Sequence, residues 1–266
     1  MEMAVHSIGR MVNCAAVPIG WVVGYIRMHL LYLRRALHII SLCLFTWSFY
    51  IEIFHFSSVY NTFAFRYATI WYNLYCILYH CGCLIYLQIA KSRSKARLHQ
   101  RVKQLMRLLM DGAFACIIAP QAFGIASVFW GLILLDPEAA VPSKIRNDPY
   151  WIFTTNIQHT YIIVALLSDW LLYVRRYPKD RANAICVMLS FTIGFNVLQT
   201  CRGVIYNDWT YPIFQRSSAW VCILLFILGN SFVVALYGFC ELINHSFHRL
   251  YRLLPDTSIT FRSKQL

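Results

Sequence analysis

Apolar runs of about 20 residues recur along this chain, and each is long enough to cross a hydrocarbon core of about 30 Å. They lie near residues 36–56, 63–88, 108–135, 151–174, 183–206 and 217–242. Inside a bilayer every backbone N–H and C=O must find its partner within the protein, so open runs of this length fold as helices. The composition agrees. Hydrophobic residues make up 59% of the chain and charged residues 13%, against roughly a quarter charged in soluble domains. The expected fold is all-α: a polytopic membrane protein with six transmembrane helices.

The basic residues alternate between connections. Arg27, Arg34 and Arg35 precede the first run. "KSRSKARLHQRVKQ" follows the second, "RRYPKDR" follows the fourth, and the tail holds Arg249, Arg252, Arg262 and Lys264. The other connections, "FSSVYNT", "DPEAAVPSKIRNDP" and "NDWTYPIFQR", are poor in basic residues and include Asp136, Glu138, Asp148 and Asp208. Basic loops face the cytoplasm, so both termini are expected there. The net charge of +13 is therefore a topology signal. It does not mark a nucleic-acid partner, because the basic residues are not interleaved with stacking aromatics on a soluble face. The expected partner is the membrane itself, either the cell membrane or the endoplasmic reticulum. Nothing in the pattern selects an oligomeric state.

Residues 1–35 read as an N-terminal extension, 36–245 as the membrane domain and 246–266 as a basic cytoplasmic tail. The stretch "MVNCAAVPIGWVVGYI" is short, contains Pro18 and lacks a convincing cleavage site, which favours an interfacial helix over a signal peptide. None of the ten cysteines lies in the acidic connections, which argues against a disulfide framework. "HCGC" at 80–83 resembles a metal site only faintly, since Cys81 points about 100° away from His80 on a helix. No metal or cofactor is expected. There is no G-x-S-x-G elbow, H-E-x-x-H or P-loop.

The informative residues are the polar ones inside the apolar runs, because such groups are costly there and often functional. Arg66, Thr69 and Asn73 share one face of the second run, and Cys76 and His80 extend that stripe. Thr155, Asn156 and His159 cluster near the start of the fourth. Asn196, Gln199, Thr200 and Arg202 lie near the end of the fifth. At 1.5 Å per residue, Thr69 lies roughly 10 Å deep and His159 roughly 12 Å deep from the same surface. A hydroxyl beside an imidazole is a nucleophile–base pair, because the hydroxyl must lose its proton as it attacks and an imidazole titrates near neutral pH. Spacing alone does not choose Thr69 over Thr155 or Thr160. Arg66 is placed to hold an acidic group, and Asn73, Asn156 or Gln199 to donate to a developing oxyanion. The bland readings are a threonine bonded to its own backbone, a histidine gluing helices, and an arginine snorkelling to the interface.

These segments resemble the androgen-induced-gene / androgen-dependent TFPI-regulating protein family of six-span membrane hydrolases, over roughly residues 36 to 245. "FRYATIWYNLY", "APQAFGIASVFW", "NIQHT", "RYPK", "DWTYPIF" and "LYGFCELIN" follow the family's landmarks in order. The resemblance implies a threonine hydrolase of fatty acid esters of hydroxy fatty acids, with Thr69 as nucleophile, His159 as base, and Arg66, Asn73 and Asn156 toward the substrate. The chain departs from the family at three points. Asn156 stands where a second histidine is usual, Met110-Asp111 replaces an Arg-Asp pair, and Cys240 replaces a glycine. The rival readings are a transporter or channel using the same polar pocket, a chemosensory-type receptor, and a non-catalytic family member.

Overall fold

The computed structural model describes residues 19–60, 67–92, 94, 96–141, 143–173, 175–207 and 209–253. Among them every regular element is helical. Helix α1 (19–60) runs as Ile19–Tyr50, loosens into a π-helical turn over Ile51–Phe56 and closes with Ser57–Tyr60. Helix α2 is Ala68–Lys91. Helix α3 is Arg97–Leu135, with a π-helical turn at Phe114–Ile118. Helix α4 (149–172) joins Pro149–Asn156, a π-helical turn at Ile157–Tyr161, and Ile162–Leu172. Helix α5 is Arg181–Tyr206 and α6 is Ala219–Leu253. One-turn helices fill the α3–α4 and α5–α6 connections.

Five of these helices, all but α4, are long and apolar enough to cross a membrane. In α4 the apolar sequence is diluted by Asn156, Gln158, His159 and Asp169, so by length and composition it does not join the five. Two helices start earlier than the apolar runs suggested. α1 is already helical at Ile19, inside the segment assigned to an N-terminal extension. α3 starts at Arg97 because Leu98, Val102, Leu105 and Leu109 continue one exposed apolar face at helical steps.

Local chemistry sets the helix ends. Asp148 caps α4 by accepting from Tyr150 N–H at 2.9 Å, and Pro149 occupies the first helical position, where no N–H is needed. The other carboxylate oxygen of Asp148 bonds the His55 ring at 2.9 Å, tying the ends of α1 and α4 together. Asp180 caps α5 through Asn183 N–H at 3.1 Å. Asn207, at φ 49°, ends it in the left-handed conformation that asparagine tolerates.

The bundle is polar inside and apolar outside. His38, Asn73, Asp169, Arg175 and Asn244 are buried, while Leu78, Ile85, Leu135, Val204 and Trp220 are exposed. In hydrocarbon, burying apolar surface between helices gains little, so packing and polar contacts hold the helices together. Phe45, Tyr79, Phe114 and Trp170 form the aromatic centre between α1, α2, α3 and α4.

Two glycines mark close helix contacts with different tolerance. A Cβ at Gly203 would overlap the rigid indole of Trp209, whereas at Gly82 it would come within 2.6 Å of the flexible Met110 Sδ. Gly203→Ala is expected to destabilise by about 1–3 kcal/mol through overpacking, less the ~1 kcal/mol that alanine gains in a helix. Gly82→Ala keeps that gain, because Met110 can swing aside. Thermal denaturation of the two purified variants checks the order. Equal melting temperatures would refute the contrast.

Candidate functional site

A cavity of about 530 Å³ lies at the end of the bundle where α2 and α4 begin and α5 ends. That volume falls within the roughly 300–1,000 Å³ of small-molecule sites. All six helices contribute to its wall: Glu52 from α1, Thr69 from α2, Gln121 and Phe129 from α3, Thr155 and His159 from α4, Asn196 and Gln199 from α5, and Asn230 from α6. Between them the lining is apolar, including Phe56, Ile125, Leu132, Phe195 and Phe214. Val128 on α3 and Leu228 and Phe232 on α6 line the cavity and are also exposed on the outside of the bundle. Beside them, a side chain added at Gly229 would meet nothing within 4 Å. The cavity is therefore closed toward the bilayer side of the α3–α6 contact by little more than single side chains.

His159 is held on two sides. Its ring stacks on Phe129 with centroids 3.6 Å apart and planes 7° from parallel. It also makes a hydrogen bond to the backbone of Ile125. Nδ1 is buried and has no hydrogen-bond partner. A neutral imidazole keeps one ring nitrogen unprotonated, the lone pair a general base requires. The π-helical turn at Ile157–Tyr161 helps present it, since Ile157, Gln158 and His159 are all buried in succession. Gln158 is anchored in turn, donating to Ser48 Oγ at 3.0 Å and to Glu52 Oε1 at 3.1 Å, which fastens α4 to α1 beside the histidine.

The threonines sort by their hydrogen bonds. Thr154, Thr192 and Thr200 donate to carbonyls of their own helices. Thr160 is exposed and donates to Asn156. Thr69 and Thr155 line the cavity. Among the described residues, neither hydroxyl has a recorded hydrogen bond. The depth match between Thr69 and His159 thus becomes a shared cavity, and Asn196 and Gln199 of α5 reach it too.

Two expected substrate-binding residues lie elsewhere. Asn73 is buried against α1, with its amide donating to Phe45 O and accepting from Phe49 N–H at 3.2 Å each. It is helix glue, because the polar stripe of α2 turns from the cavity toward α1 within one helical turn of Thr69. Asn156 is exposed and donates to Ile152 O at 2.8 Å. It sits about 100° around α4 from Thr155, outside the cavity wall. Arg66 lies outside the described residues. Of the "HCGC" residues, His80 Nδ1 meets His38 Nδ1 at 2.9 Å, and Cys83 packs against Arg175. Glu52 and Gln121 line the cavity as well, beyond the residues expected from the sequence. A lone acid within the first apolar run was the available signal for Glu52; nothing in the pattern distinguished Gln121.

Fold and cavity define a helical integral membrane protein with a partly polar chamber inside its bundle. The chain belongs to the FAR-17a/AIG1-like protein family, which it matches over residues 33–245. It is similar to the androgen-dependent TFPI-regulating protein of Mesocricetus auratus, at 24% identity over 136 residues, 51% of this chain and 58% of that one. The human protein of the same name is 22% identical over 135 residues, again 51% of this chain and 58% of the relative. The aligned stretch thus spans little more than half the length of these curated relatives. No solved structure matches.

Proposed function

We propose that this protein is a membrane-embedded hydrolase of fatty acid esters of hydroxy fatty acids, with Thr69 as nucleophile and His159 as base. The observation that carries the reading is the shared cavity. It brings together a threonine hydroxyl that makes no hydrogen bond among the described residues and a buried imidazole. In the first step the Thr69 Oγ–carbonyl carbon bond forms, the carbonyl pair moves to oxygen, and the Thr69 proton passes to the unprotonated ring nitrogen of His159. Collapse breaks the bond to the alcohol oxygen, which takes that proton and leaves as the hydroxy fatty acid. Water, deprotonated by the same nitrogen, then releases the fatty acid from Thr69.

The apolar wall suits acyl chains, and the thin α3–α6 side suits a substrate arriving from the bilayer. With α4 as a sixth span and the basic connections cytoplasmic, the cavity occupies the outer half of the membrane. The replacement of a family histidine by Asn156 leaves the cavity unaltered, because that side chain faces outward.

A fluorophosphonate probe tests the hydroxyl directly. Membranes containing the wild-type chain are expected to label, and Thr69→Ala membranes with equal protein content are not. Equal labelling of both would remove Thr69 as the nucleophile. A wild type that resists labelling under conditions where it binds lipid esters would point to a binding or transport role.

A further inference from the structure

The geometry points to Gln121 as the side chain that donates to the developing oxyanion, an inference that rests on the ester cleavage proposed above. When Thr69 Oγ adds to the carbonyl, a neutral oxygen becomes an anion inside a largely apolar chamber. Such a charge needs N–H or O–H donors already aimed at it, since the walls offer no solvent to reorganise.

Of the amides around the chamber, Asn196 is only half-buried, and most of the others are engaged. Gln158 Nε2 is shared between Ser48 and Glu52. Asn230 Nδ2 donates to Phe226 O at 2.7 Å. Gln199 accepts from Thr210 through Oε1 and makes a further contact. Asn73 and Asn156, which the sequence offered for this role, are bonded outside the cavity. Gln121 is different. Its side chain is 5% exposed and lines the cavity, yet its Nε2 has no partner. An amide N–H buried without an acceptor destabilises a fold, and such a group is retained where something transient uses it. Its position fits the same chemistry. Gln121 stands four residues before Ile125, so the two share a face of α3. One turn of helix would thereby orient the base through its backbone and present the oxyanion donor through an amide.

The test uses the full-length protein in lipid nanodiscs, with a fatty acid ester of a hydroxy fatty acid as substrate, and compares wild type with Gln121→Leu and Gln121→Glu. Leucine keeps most of the volume and removes the donor; glutamate keeps the shape and exchanges the amide for a carboxyl. Both are expected to lower kcat by about 10²–10³-fold, with KM within about threefold because the ground-state ester binds as before. Gln121→Leu is also expected to melt at or above the wild-type temperature, since it deletes an unpartnered buried polar group. A glutamine serving only the fold predicts the reverse, a lowered Tm with kcat nearly unchanged, and that result overturns the inference while leaving the hydrolase reading intact. A wild type that neither turns over the ester nor labels at Thr69 overturns both.

Discussion

Replacing His159 by alanine or glutamine is expected to slow ester hydrolysis by about 10²–10⁴-fold, the usual contribution of a positioned general base. The protein should still accumulate in membranes. What the fold loses is the stack on Phe129, worth about 0.5–1.5 kcal/mol for such ring pairs, and one bond to the Ile125 backbone. Thr69→Ala should lose at least as much activity, because no other atom forms the acyl bond. The double variant should be no slower than Thr69→Ala alone, since a base without its nucleophile has nothing to activate. Thr155→Val is the informative control. Thr155 lines the same cavity, lies one turn before His159 and is 5% exposed, so geometry alone leaves it a rival. Activity within about threefold of wild type in Thr155→Val, beside loss in Thr69→Ala, assigns the nucleophile to α2. The opposite pair of results would move it to α4, onto the same helix as the base. Initial rates of fatty acid release, normalised to folded protein, decide between them.

How far the sequence could see follows from what each residue needed. The helices were legible because long apolar runs admit few other structures; the aspartates of "NDPY" and "YPKDR" cap the starts of α4 and α5. That Thr69 and His159 reach one cavity was legible as depth, since rise per residue is constant along a helix. What depth and face do not give is the neighbour. Asn73 follows Thr69 by one turn but meets α1. Asn156 adjoins Thr155 but points outward. Gln158 and His159 are both buried because a π-helical turn changes the angular step there, and no residue type announces such a turn. In the sequence Arg175 stands out only as part of "RRYPKDR", one of the basic runs that set the topology. The structure buries it completely, because three helices supply it with partners.

Breaking that site is expected to produce the largest loss of stability in the molecule. The Arg175 guanidinium is 1% exposed and lies 2.5 Å from Asp169 Oδ2 on α4 and 3.4 Å from Asp111 Oδ1 on α3. It also donates to the Tyr79 hydroxyl on α2, which itself donates to Asp169 at 2.5 Å. Its carbonyl accepts from Asn244 Nδ2 of α6 at 3.0 Å. Methionine at 175 would keep much of the volume but leave Asp169 buried without a cation, a change that costs about 3–5 kcal/mol in buried pairs. At about 2–4 °C per kcal/mol for a chain of this size, the melting temperature should fall by roughly 6–20 °C. Asp111→Asn should cost far less, because Arg175 keeps Asp169 and only the longer pairs of Asp111, to Arg175 and to Arg107 at 3.7 Å, weaken. Arg175→Lys should rescue only in part, since a single ammonium does not span two carboxylates as a guanidinium fork does. The decisive variant is the double change Arg175→Met with Asp169→Leu. If the penalty comes from a stranded charge, removing both charges restores most of the lost stability, as hydrophobic replacement of buried pairs can. If the double variant melts as low as Arg175→Met, the cost lies instead in the lost contacts to Tyr79 and the rings of Phe114 and Tyr173, 5.0 and 4.7 Å from the guanidinium. Arg175 would then hold the helices by packing and not by charge.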